Sequence, residues 1–152
     1  MRPVKHLFLM LEKFYNMTGK SLKLQQIIIT SLRNIDFLNE NNINVFSSVP
    51  TKKHLPYAKI FSISLNKSQN SCNIKTFTID IFVATNWKDN QMILKIMDNI
   101  DENIANQISE TISSNAIQDL SIYNIYNNHY DVKEDLQNNT WFGHFYFDID
   151  VI

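Results

Sequence analysis

The chain predicts an α+β fold, sandwich-like, in which a mixed, mainly antiparallel sheet of four to five strands carries helices packed on one face. Three observations carry this expectation. Phe77, Ile79, Ile81 and Val83 alternate with Thr76, Thr78 and Asp80, and period two is a strand with one buried and one solvated face. From Ile93 the period changes: Ile93, Ile96, Met97, Ile100, Ile104 and Ile108 recur every three or four residues, the stripe of an amphipathic helix. Period two returns at the C-terminal end over Thr140–Ile152, with Trp141, Phe145, Phe147, Ile149 and Val151 inward and His144, Tyr146, Asp148 and Asp150 outward.

The other elements follow in order. Residues 1–20 form a helical extension in which 4–15 is apolar on several faces (Leu7, Phe8, Leu11, Phe14, Tyr15) and needs a partner in the fold or in a neighbouring subunit. Residues 21–152 form one domain. Thr18-Gly19-Lys20-Ser21 is a turn able to cap a helix that runs to Leu38, with Leu24, Ile27, Ile28, Leu32, Ile35 and Leu38 inward. Asn39–Asn44 is a polar break, Ile43–Val49 a short strand ending at Pro50, and Thr51–Pro56 a loop. Tyr57–Asn66 is a strand with Phe61, Ile63 and Leu65 on one face, and Lys67–Asn73 is a polar hairpin connection. Asn86 is placed to cap the long helix, and Asp89 suits its positive end. Ser109–Ala116 is a loose exit. In the strand Ile117–Tyr130, Ile122-Tyr123 and Ile125-Tyr126 break the alternation and predict a bulge. Asp131–Asn139 is a polar loop. The passage from 75 to 130 is strand–helix–strand and can make one parallel neighbour pair, crossing right-handed.

Composition narrows the function classes. A chain of 152 residues with 44% hydrophobic and 12% aromatic residues builds one domain with a substantial core. Fourteen basic against 15 acidic residues leave a formal charge of −1, so no global field draws it to DNA or to an anionic membrane. Cys72 is the single cysteine, which excludes an intrachain disulfide and suits a reducing cytoplasm. Leu7–Leu11 imitates the start of a secretion signal, but Glu12 and Lys13 interrupt it, and no run approaches the roughly 20 apolar residues of a membrane span. Two glycines and three prolines argue against repeats and glycine-rich nucleotide loops.

Each candidate site has a plainer alternative. Gly19-Lys20-Ser21 matches the tail of a phosphate loop, but Phe14 stands where its first glycine belongs and no strand leads in, so a capping turn is preferred. His144, Asp148 and Asp150 share a strand face and have the chemistry to hold a divalent ion, with Asp80 joining them only if its strand lies alongside. The wet face of an amphipathic strand explains them as well and is the reading preferred, so no metal site is assigned. Cys72 sits in a polar loop with no base or positive pocket visible nearby, which is an incidental thiol. Lys52, Lys53 and His54 form a basic loop too small for nucleic-acid recognition, and Trp87 and Trp141 read as core or interface anchors. No catalytic or cofactor-binding residue is assigned.

Several motifs then stand in a telling order. Val49-Pro50 is followed, after a short spacer, by Leu55-Pro56-Tyr57 entering a strand. Thr76-Phe77-Thr78-Ile79-Asp80-Ile81-Phe82-Val83 runs straight into a helix that includes Gln91-Met92-Ile93-Leu94-Lys95-Ile96-Met97-Asp98. The last strand has an aromatic before Gly143 and then Phe145-Tyr146-Phe147-Asp148-Ile149. Over residues 22–152 this resembles the tail completion family (tail terminator, or head–tail joining proteins) of long-tailed bacteriophages and gene transfer agents. The resemblance implies a small non-enzymatic subunit that closes into a ring, commonly a hexamer. Such a ring caps the finished tail tube and joins it to the head connector, so its partners are its own copies, the tail tube protein and the connector protein. DNA passes through the lumen without specific binding. Neither cofactor nor membrane is implied, and the place of action is the virion tail, assembled in the bacterial cytoplasm. The family's proline–tyrosine strand entry matches Pro56-Tyr57, whereas the first twenty residues and the scarcity of glycine depart from the pattern. Polar loops at 51–56, 67–73 and 131–139 are available for neighbours. The Asp148/Asp150 face or the helix surface of Asp98, Asp101 and Glu102 would line the lumen, mildly repelling phosphate. Alternative functions are a prophage-derived binding or adaptor module and, less favoured, a metal-dependent hydrolase built on His144, Asp148 and Asp150.

Overall fold

A computed structural model of the protein describes residues 19–48, 54–71, 73–86, 90–114 and 120–152. Its elements are α1 (Lys20–Arg33), α2 (Asp36–Glu40), β1 (Asn44–Phe46), β2 (Tyr57–Ser71), β3 (Ile74–Asn86), α3 (Asn90–Ser114), β4 (Ile122–Asp135) and β5 (Thr140–Val151). The five strands form one sheet in the order β1-β2-β3-β5-β4, in which β1 and β2 are parallel and every other neighbour pair is antiparallel. The fold is therefore α+β with a mixed, mainly antiparallel sheet. The expected helix at 4–15, the Val49-Pro50 corner, Lys52, Lys53, Cys72, Trp87 and Asp89 lie outside the described residues.

The core follows the two periods. Phe77, Ile79, Ile81 and Val83 of β3 and Phe145, Phe147, Ile149 and Val151 of β5 turn to one face, where the α3 stripe Ile93, Ile96, Met97, Ile100, Ile104 and Ile108 covers them without exposure. Burial of each such side chain contributes about 1.5–3 kcal/mol. The α1 residues Leu24, Ile27, Ile28 and Leu32 close the same core beside β1 and β2. Between α1 and α3 the buried Ser31 and Thr111 hydroxyls meet at 2.9 Å, one donating to the other, while the accepting hydroxyl gives its own hydrogen to the carbonyl one turn back, Ile27 O for Ser31 or Gln107 O for Thr111.

Several expectations are corrected. The first described helix does not reach Leu38. It ends at Arg33, and Ile35 is extended (φ −72°, ψ 118°) before the one-turn α2. The bend lets Ile35 and Leu38 both enter the core, and the Arg33 guanidinium ties it to β1 by donating to Val45 O at 2.9 Å. Gly19 is the cap residue of α1, and no side-chain hydrogen bond caps it, unlike the capping turn expected of Thr18–Ser21. Asn86 pairs with Thr140 as the last residue of β3, and residues 87–89 between it and α3 lie outside the described residues. α3 continues to Ser114 through the expected loose exit, because Ser109, Thr111 and Ser113 return their hydroxyls to carbonyls four residues back. Phe61 does not share the face of Ile63 and Leu65. The β2 register slips between Ile60 and Ser62, so Ala58, Ile60, Ile63 and Leu65 oppose the core residues of β3 while Phe61 is exposed. β2 extends through most of the expected 67–73 connection, and β4 through most of the expected 131–139 loop, which shrinks to Leu136–Asn139. β4 does carry register shifts, at Ile122/Asn124 and Tyr126/His129. Lastly, β3 and β4 do not form the parallel neighbour pair, because β5 inserts between them; the parallel pair is β1 with β2.

Candidate functional site

The helices cover one side of the sheet, and among the described residues no element packs on the other. That uncovered face gathers the candidate residues, because β3 and β5 pair in perfect alternation from Lys75↔Val151 to Asn86↔Thr140. One half of it is polar. Thr76 lies beside Asp150 and Thr78 beside Asp148, and each threonine hydroxyl donates to its neighbour's carboxylate at 2.7 Å. From β4, the Tyr126 hydroxyl donates to Asp150 at 3.1 Å and the Asn127 side-chain amide to Asp148 at 3.0 Å. Asn127 has a left-handed backbone (φ 58°), which belongs to the β4 register shift and aims its side chain at Asp148. Burial, chiefly, and the Asp150 carboxylate push the Tyr126 hydroxyl above the ordinary tyrosine range.

Asp80 meets the condition set for it by the sequence, since its strand pairs directly with β5. What results is a pair and not a cluster. His144 reaches diagonally across the ladder and places Nδ1 2.8 and 3.0 Å from the two Asp80 oxygens. Asp148 and Asp150 face Thr78 and Thr76 instead, and successive same-face positions on a strand are about 7 Å apart. Among the described residues no three His, Cys, Asp or Glu side chains gather as ion ligands. The Asp80–His144 pair has the form of a base and its orienting carboxylate, but a nucleophile is needed on the other ring nitrogen. Around that ring stand Phe61, Phe82, Phe142 and Tyr146, at centroid distances of 5.2, 5.3, 6.5 and 5.8 Å.

These rings belong to a feature that the alternation only half disclosed, an aromatic band crossing all five strands. Phe46 of β1 contacts Tyr57 of β2, Tyr57 contacts Phe82 of β3, and Phe82 stacks on Phe142 of β5, at 6.1, 6.2 and 6.1 Å. His129 of β4 stacks on Tyr146 at 4.9 Å. Lys59 Nζ lies 5.6 Å from both the Phe61 and Phe82 rings, a cation–π arrangement. Burial, followed by the Asp80 and Asp131 charges, raises the pKa of Tyr146. Phe82 and Phe142 were legible as outward-facing by parity, but Phe61 was hidden by the bulge. Two shallow depressions flank the band. One of ≈ 430 Å³ lies over Tyr57, Phe82 and Phe142, with Asp135 at its rim, and one of ≈ 600 Å³ lies over Thr78, His129, Tyr146 and Asp148. Asp135 organises the β4–β5 turn: the Asn138 side chain, chiefly, and the Gln137 and Asn138 amides donate to it and hold its carboxyl below the usual range.

The remaining candidates are scattered. Gly19-Lys20-Ser21 forms the start of α1, with no strand before it among the described residues. His54 is exposed, and Trp141 is half-buried against the core. On α3, Asp101 and Glu102 are exposed, and Asp98 accepts a hydrogen bond from Tyr130 of β4. No helix among the described residues is long and apolar enough to cross a membrane. Compared with protein-family models and with curated proteins, the chain matches none.

Proposed function

We propose that this chain is a structural tail-completion protein of a phage or gene transfer agent, a non-enzymatic subunit that closes into a ring on the tail tube and joins it to the head connector. The observation that supports the reading is that the motifs carrying the resemblance are neighbours in space. Tyr57 of the proline–tyrosine entry pairs with Ala84 at the end of β3, and Val83 pairs with Gly143. Met97, from the helix that β3 leads into, packs so closely over Gly143 that a Cβ there would collide with its tip. Three segments separated in sequence thus build one end of a single sheet. A second support is that Asp148 and Asp150 are committed to hydroxyl and amide donors, which is structural use of a carboxylate.

In such a ring the lumen would be lined by the α3 surface of Asp101 and Glu102 sooner than by Asp148 and Asp150, because the former are exposed and the latter half-buried. The place of action is then the virion tail. Negative-stain imaging of the purified chain, alone and with tail tubes from the same source, tests the proposal: rings on tube ends are expected, and bare tubes with a dispersed monomer would refute it. The aromatic band favours one further reading, a prophage-derived binding or adaptor module. Genes for portal, capsid and tail tube beside this one would favour assembly; their absence would favour the module.

A further inference from the structure

Resting on the ring reading, we propose that copies join edge to edge through their sheets, the outer edge of β4 pairing with the uncovered edge of β2 in the next copy. The topology leaves two edges of unequal kind. β1 pairs only with Tyr57–Lys59, so among the described residues no strand lies along the outer side of β2 beyond Lys59. β4 is the last strand on the opposite side, and among the described residues no strand lies along its outer side. β2 and β4 run in opposite senses within the sheet, since each of the three steps from β2 through β3 and β5 to β4 is antiparallel. Copies placed side by side without inversion therefore meet as an antiparallel pair. The contact uses two different surfaces of one chain, which is the head-to-tail kind that can close into a ring.

The alternation of side chains fits this partner. In β2, Ile63 and Leu65 lie on the helix side and Ser62 and Ser64 on the uncovered side. In the regular part of β4, Tyr130 and Val132 lie on the helix side, with His129, Asp131 and Lys133 on the other. Aligned in parity, Ile63 and Leu65 meet Tyr130 and Val132, extending the core strip across the junction and covering Leu65, which is 38% exposed. A slip of one residue would set apolar against polar throughout, so the register is constrained.

The test uses the full chain carrying Cys72→Ser with Ser64→Cys and Asp131→Cys, treated with a short bismaleimide at concentrations where mass measurement shows assembly, alone or on tail tubes. A covalent ladder is expected from the chain with both new cysteines and only monomer from either single variant. Assembled rings without a ladder, or dimers from a single variant, would overturn the edge contact and leave the ring reading standing. A bond from Ser64→Cys to Met10→Cys within one chain would assign the β2 edge to residues 1–18 and overturn it likewise. Absence of any assembled species, alone or on tubes, would remove the ring reading and this inference together.

Discussion

A methyl group added at position 143 would meet the tip of Met97 and would also lie 2.8 Å from the carbonyl oxygen of Asp131 on β4. The Met97 tip can move, but the β4 backbone is held by its ladder. Gly143→Ala should therefore cost about 1–3 kcal/mol in urea unfolding, and shortening Met97 should not restore it. The glycine was visible in the sequence as a motif member, but its reason was not, because the close neighbours come from α3 and β4. Tyr130 offers a second residue-scale test. Its hydroxyl donates to Asp98, and that bond, followed by burial, raises its pKa above the ordinary value. A raised folded-state pKa means the contact is fully present below the unfolded tyrosine value of about 10 and is lost as pH rises through the folded one. Absorbance titration of the folded protein should show Tyr126, Tyr130 and Tyr146 ionising later than in the denatured chain, and Asp98→Ala should advance one of them. Asp80 shows how far parity alone reaches. Evenness placed it on the face of His144 once the strands paired, but only the cross-strand geometry reveals a closed pair with the other carboxylates held elsewhere.

At the scale of elements, β3, α3 and β5 were legible because their periods run unbroken and their buried faces are almost wholly apolar. Ile100→Ala, in the middle of the α3 stripe, should cost about 2–5 kcal/mol by the same unfolding measurement. Elements whose local chemistry is polar were cut short. Serines and a threonine read as an exit continue α3, since their hydroxyls bond within the helix, and Asp131–Asp135 continues β4 with charged side chains on its uncovered face. Bulges are the other blind spot, because one inserted residue reverses every later side chain, as Phe61 demonstrates. The β4 irregularity depends on a left-handed residue at Asn127. Replacing it with Val should cost about 1–2 kcal/mol and Asn127→Gly much less, read from the urea midpoints of the two variants.

On the scale of the whole molecule, a sheet armoured by helices on one side presents on the other a polar half and an aromatic half. Nothing in the chain's periodicity disclosed the strand order, which depends on β5 entering between β3 and β4. The short motifs that carry the resemblance are apart in sequence and converge in space around Gly143. If α3 faces a DNA-filled lumen, reversing Asp101 and Glu102 to lysine should change DNA retention in finished particles and leave ring formation intact. The central claim is that this fold exists to contact copies of itself on a tail tube, with no reaction carried out inside it. Imaging the full chain with tail tubes tests that most directly: the account predicts closed rings of one subunit type seated on tube ends, and tubes left bare beside a protein that stays monomeric would contradict it.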